Sequence, residues 1–144
     1  MDSLGNTRRA ALAALCQQIG ATLLDAFGSR AREALASIDD GPPLTSGPSA
    51  LDIGPRVAPG VHWTAAEKVR MAQALEALFG VDRVDLVVLN EADPFLAAKI
   101  IRGERPNAAD TRDADEYDLY VLRRGGDLAP LEHERLALIF QVKE

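Results

Sequence analysis

The sequence predicts an α/β fold: a small mixed β-sheet with helices packed on it and a helical C-terminal segment. Three observations carry that prediction. Residues 64–80 read as a capped amphipathic helix and residues 84–89 as a strand. Helical and extended apolar patterns then alternate along most of the chain, in the order α-β-α-β-α-β-α-α-α. At 144 residues, a single domain over 1–144 is expected, with a core at about 20–90 and C-terminal helices at about 93–141.

Taken in order, Leu12, Leu15, Cys16 and Ile19 fall at i, i+3, i+4 and i+7 of a first helix from about Thr7 to Ile19, which Gly20 ends. Cys16 lies on that apolar stripe with no basic partner nearby in sequence, so it reads as a buried structural thiol. Leu23-Leu24-Asp25-Ala26-Phe27 is a short buried strand, Gly28-Ser29 a tight turn, and Arg30 to Ser37 a helix. Such a turn suits an anion. Glycine lets the backbone approach closely, a helix start offers unpaired N–H groups, and Ser29 adds a hydroxyl.

Asp39 to Pro48 is rich in Pro, Gly, Ser and Thr and reads as a loop. Leu51, Ile53 and Val57 mark a second strand, with Pro55 ending it or bending it near an edge. Thr64 and Glu67 form a capping box, Val69, Ala72, Leu75 and Leu78 or Phe79 mark one face of the third helix, and Gly80 stops it. His62 and Trp63 read as packing over the adjacent loop rather than stacking on a base. Val84 to Leu89 is β-branched-rich and predicts the third strand. Asp93 as N-cap and Pro94 at the first helical position open a helix that ends at Gly103. Two more helices are expected, about Ala114 to Arg124, with Asp113 and Glu116 as cap and partner, and Leu128 to Phe140. Tyr117 and Tyr120 share a face of the first of these as packing residues.

The net charge of −6 argues against a direct nucleic-acid binder, since the phosphate backbone rewards clustered Lys and Arg, but leaves room for one nucleotide held through metal ions. A single cysteine cannot form an internal disulfide, and no signal-peptide or membrane-length apolar run is present. A cytoplasmic protein with no membrane contact is expected. Its oligomeric state stays open. His62 and His133 lack a second His or a Cys at zinc spacing.

A Gly-Ser turn after the first strand, Asp52 in the second and Asp85 in the third line up into one constellation. Carboxylates on adjacent strands beside a phosphate-binding turn are what metal-dependent phosphoryl or nucleotidyl transfer needs, because divalent ions take oxygen ligands and bridge phosphates. On these residues the chain resembles the minimal nucleotidyltransferases of the DNA polymerase β-like superfamily. Ala26-Phe27-Gly28-Ser29-Arg30-Ala31-Arg32, Ser49-Ala50-Leu51-Asp52-Ile53-Gly54 and Arg83-Val84-Asp85-Leu86-Val87 match its Gly-Ser, Asp-x-Asp and third-Asp segments. The likeness continues through Asp93-Pro94-Phe95-Leu96-Ala97, 101–104 and 117–124, nearly the whole chain.

The resemblance implies binding of a nucleoside triphosphate, with ATP expected, by Gly28 and Ser29 with help from Arg30. It implies Mg²⁺ on Asp52 and Asp85, with Asp85 as general base, and transfer of a nucleoside monophosphate to a hydroxyl. In stand-alone members the acceptor is sometimes a tyrosine of a HEPN-type toxin that the nucleotidyltransferase neutralises. Two departures stand out. The spacer 30–49 holds twenty residues against roughly ten in the short family pattern, an insertion that costs little closure entropy. The second is Ala50, which stands where the family places the first metal-binding aspartate. Four readings of Ala50 remain side by side: a natural inactive nucleotide binder, an engineered inactive variant, rescue by Asp39 or Asp40 from the loop, or a shifted register. A module that acts on its partner by contact alone is the alternative to the enzyme.

Overall fold

A computed structural model describes the backbone of residues 4–39, 41–44, 47 and 49–140, and the side chains of residues 8–39, 41–44, 47 and 49–126. The elements are α1 (Leu4–Ile19), β1 (Ala21–Phe27), α2 (Ala31–Ile38), β2 (Leu51–Val57), α3 (Ala65–Phe79), β3 (Val84–Leu86), α4 (Pro94–Ile101), β4 (Glu104–Ala108) and α5 (Thr111–Phe140). The strands form one mixed sheet in the order β3-β2-β1-β4, with β1 antiparallel to both β2 and β4 and β2 parallel to β3. The α/β prediction holds.

Alternation along β1 and β2 splits the core into two layers. Leu24, Ala26, Leu51 and Ile53 face α1, α2 and α3, where Leu12, Ile38, Leu75 and Phe79 are buried. Leu23 and Phe27 face α4 and α5, where Ala97, Ile100 and Val121 pack. The opposite face of β2 turns Gly54 toward α4 so closely that a Cβ there would lie 2.6 Å from Ile100 Cγ2. Gly54→Ala is expected to push α4 off the sheet and cost about 1–3 kcal/mol by overpacking, read as a lower denaturant midpoint.

Local chemistry sets most element ends. Thr64 and Glu67 bond reciprocally, Glu67 N–H to Thr64 Oγ1 at 3.1 Å and Thr64 N–H to Glu67 Oε1 at 2.8 Å. Gly80 closes α3 in the left-handed region at φ 75°. Asp93 Oδ1 accepts from the N–H groups of Phe95 and Leu96, both at 2.9 Å. Trp63 is buried and its indole N–H donates to Ile19 O at 2.9 Å, in keeping with a packing role. Cys16 is buried, and desolvation pushes its thiol up to about 12, which leaves it inert.

Several boundaries differ from the sequence prediction, α1 starting at Leu4 and β1 at Ala21 among them. The third strand stops at Leu86 rather than Leu89. Val87 N–H still reaches Ile53 O at 2.9 Å, but the next ladder bond would need an N–H on Pro55, which has none. The outer side of β2 is met there by Asn90 instead, whose side chain accepts from Val57 N–H at 2.8 Å and donates to Val57 O at 3.1 Å. A fourth strand, Glu104–Ala108, covers the free edge of β1. The two expected C-terminal helices are one, α5, capped by Asp110 rather than Asp113. Finally, α4 ends at Ile101, before Gly103. His133 and Asp40 lie outside the described side chains.

Candidate functional site

The turn after β1 is a 3₁₀ turn, Gly28–Arg30, running directly into α2. Gly28 has φ 76°, and a Cβ at that position would sit 2.6 Å from Asp52 Oδ2. Glycine is therefore required twice, by its backbone conformation and by the carboxylate against it. Phe27, one residue earlier, is the cross-strand partner of Asp52. In the parallel pair β2–β3, Asp52 stands directly opposite Asp85. Leu51, Ile53, Val84 and Leu86 all belong to the core layer on the other side, so both carboxylates project to the same face.

Ser29 is exposed at the head of the turn, and Asp85 is exposed on β3 at the sheet edge. Arg30 points elsewhere. Its guanidinium is almost fully buried, pairs with Glu33 at 3.2 Å and donates to Ser49 O at 3.3 Å. In this conformation it ties the turn to the residue preceding Ala50. Asp39 is engaged by Arg9 of α1.

Burial, and then the neighbouring Asp85 carboxylate, raise the pKa of Asp52, while Lys99 and Arg83 pull it back down. Arg83 lies along Asp85, with Nε to Oδ1 and Nη2 to Oδ2 both at 3.3 Å. That pair is exposed and contributes little to stability. Lys99 and Arg83 are the two site residues that sequence reasoning missed. Arg83 was visible as the basic flank of the third strand, whereas Lys99 reaches Asp52 only because α4 folds across the sheet.

Two carboxylates whose charges oppose each other are a donor set for a hard cation. Mg²⁺ is commonly held by one or two carboxylates plus substrate phosphates and its own waters, and Asp52 with Asp85 fits that pattern. Position 50, immediately before β2, presents only a methyl group. Among the described residues no group of three or more His, Cys, Asp or Glu could hold an ion on protein ligands alone. The residues present therefore suit a cation that arrives with phosphate oxygens. Gly28→Ala, which forces a side chain into φ 76° and against Asp52 Oδ2, is expected to cost roughly 1–2 kcal/mol of stability. Chemical denaturation would check it.

A second polar cluster lies behind the site. Asp25, in the middle of β1, is 3% exposed, and its Oδ2 has no hydrogen-bond partner among the described residues. Burial first, and the Asp118 carboxylate second, push Asp25 up to about 7, against the pull of Arg105. Arg105 itself bonds Asp118 at 2.7 Å and Asp115 at 3.0 Å, joining β4 to α5.

No family model and no curated protein matches the chain. Solved structures do. A chain of a toxin–antitoxin complex with AMP-PNP superposes with a TM-score of 0.64 at 18% identity, over 92% of this chain and 96% of that one. A complex of tri-AMPylated Shewanella oneidensis HEPN toxin with MNT antitoxin gives 0.62 at 18% identity, over 95% and 97%. The MntA–HepT toxin–antitoxin gives 0.61 at 17%, over 94% and 97%. At these identities the likeness establishes the fold. No helix among the described residues is long and apolar enough to cross a membrane.

Proposed function

We propose that this chain, which has the minimal nucleotidyltransferase fold, is an antitoxin-type partner of a helical HEPN protein and binds ATP with Mg²⁺. Its site is laid out for transfer of AMP to a hydroxyl, such as a tyrosine of that partner. The observation that carries this reading is Asp52 and Asp85 standing opposite each other on one sheet face, with Gly28 against Asp52. Gly28 and Ser29 receive the triphosphate, and Arg30 serves by bracing their turn against Ser49. Asp52 and Asp85 would hold Mg²⁺, which when bound supplies positive charge to the phosphates. Asp85, exposed at the sheet edge, takes the proton of the attacking hydroxyl as the new oxygen–phosphorus bond forms and pyrophosphate leaves.

Ala50 favours a second reading. With one carboxylate fewer than the family pattern, the chain would bind nucleotide and its partner but transfer little or nothing. The charge of −6 suits a basic partner on either reading. Thermal unfolding separates both readings from a mere likeness of fold. A ligand at about 100 times its Kd stabilises by about 2.7 kcal/mol, so saturating Mg²⁺–ATP is expected to raise the Tm by about 5 °C or more. Asp85→Asn should abolish that rise. Transfer of labelled AMP to the partner identifies the enzyme, and a Tm rise without transfer identifies the inactive module. No rise at all would overturn nucleotide binding.

A further inference from the structure

We propose that a cleft between the end of β2, the start of α4 and the first half of α5 is a second ligand site, for a small molecule that combines one flat ring with one anionic group and has about the size of a mononucleotide. The cavity is about 380 Å³, within the range of small-molecule sites. Arg56, Arg124, Tyr117, Tyr120 and Asn90 supply its polar and aromatic lining, and no carboxylate is among the described lining residues. In a chain of net charge −6, two guanidinium groups, Arg56 and Arg124, line this one cavity.

The walls are built rather than incidental. Arg56 lies over the Tyr117 ring at 4.2 Å and is held from outside by Asp113 at 3.1 Å, which fixes its guanidinium plane. Asn90 is clamped by two hydrogen bonds to Val57. Tyr120 stands 53% exposed with its ring 6.5 Å from that of Tyr117 and tilted by 36°. An exposed tyrosine beside a half-buried one offers a stacking surface, and a fixed arginine together with Arg124 offers donors to a phosphate or carboxylate.

This cleft is separate from the Asp52–Asp85 site. Arg56 lies four residues beyond Asp52 on the same strand face, about 13 Å away. Between them Ile100 of α4 closes over Gly54, so one ligand cannot run from one site to the other through the sheet face. The inference therefore stands independently of the proposed reaction.

The test is a titration of the full isotope-labelled chain with AMP in EDTA, followed by NMR, with adenosine and inorganic phosphate as separate arms. AMP is expected to shift the Asn90 side-chain amide and the amides of 117–124. Tyr120→Ala and Arg124→Ala, both at exposed positions, should each weaken Kd by roughly tenfold or more. Shifts confined to Gly28 and Ser29, AMP affinity indifferent to Tyr120→Ala and Arg124→Ala, or no AMP binding would each overturn the site. Adenosine or phosphate binding as tightly as AMP would overturn the combined ring-and-anion ligand.

Discussion

Ala50→Asp is expected to raise Mg²⁺ affinity and AMP transfer by at least about tenfold to a hundredfold. Losing even an outer-shell partner of a metal ligand commonly costs that much, and position 50 is placed to supply a ligand itself. It lies two residues before Asp52, immediately ahead of β2, and the Arg30 bond to Ser49 O anchors the backbone beside it. The variant carries a diagnostic cost. Asp52 is already raised by burial and by Asp85, so a third carboxylate adds like charge to a face with too little compensation. In EDTA the variant should therefore melt below the parent chain, and in Mg²⁺–ATP above it. That crossing distinguishes a completed metal site from a change in general stability. A variant that gains no metal affinity would show that position 50 is not where the missing oxygen belongs. Transfer by the parent chain itself would show that another group supplies it.

What could be read from the sequence was whatever depends on neighbours close along the chain. The Thr64–Glu67 box, the Asp93–Pro94 start and the Gly28 turn each rest on bonds within a few residues, and each formed as expected. The juxtaposition of Asp52 and Asp85 followed from strand alternation once the two strands were recognised. The misses came from contacts distant in sequence. Glu104-Arg105-Pro106-Asn107-Ala108 has no β-branched residue and includes a proline, so nothing local marks it as a strand; the open edge of β1 recruits it. Gly125-Gly126 falls between the two C-terminal helices expected from the sequence, yet α5 runs unbroken through it from Thr111 to Phe140. Val87 to Leu89 had strand propensity but faced a proline that could not donate. Asp25 went unremarked for a related reason. Reading its strand as buried says nothing of what surrounds the carboxylate, and Arg105 of β4 and Asp118 of α5 come to it from distant segments.

Asp25→Asn is expected to stabilise the protein at pH 8, by an amount on the order of 4 kcal/mol at most, and to change little at pH 4. The sign follows from proton counting. In the unfolded chain Asp25 ionises near its ordinary value of 3.8, and in the folded chain near 7. Between those values the native state holds a proton that the unfolded state has lost, so stability falls as pH rises through this window and then levels off. A shift of about three units corresponds to about 4 kcal/mol at 1.36 kcal/mol per unit. Desolvation is the chief cause, and Asp118 adds to it, so an uncharged amide removes the cost at its source. The amide also brings N–H donors to a cluster in which Asp118 Oδ1 has no partner. Unfolding measured from pH 4 to pH 8 should give a parent curve that descends toward neutrality and a variant curve with most of that descent removed. A parent curve that climbs over the same range would show that Arg105, rather than burial, governs Asp25. The carboxylate would then be a paired anion holding β4 and α5 to the sheet, and its replacement by asparagine would destabilise the fold at neutral pH.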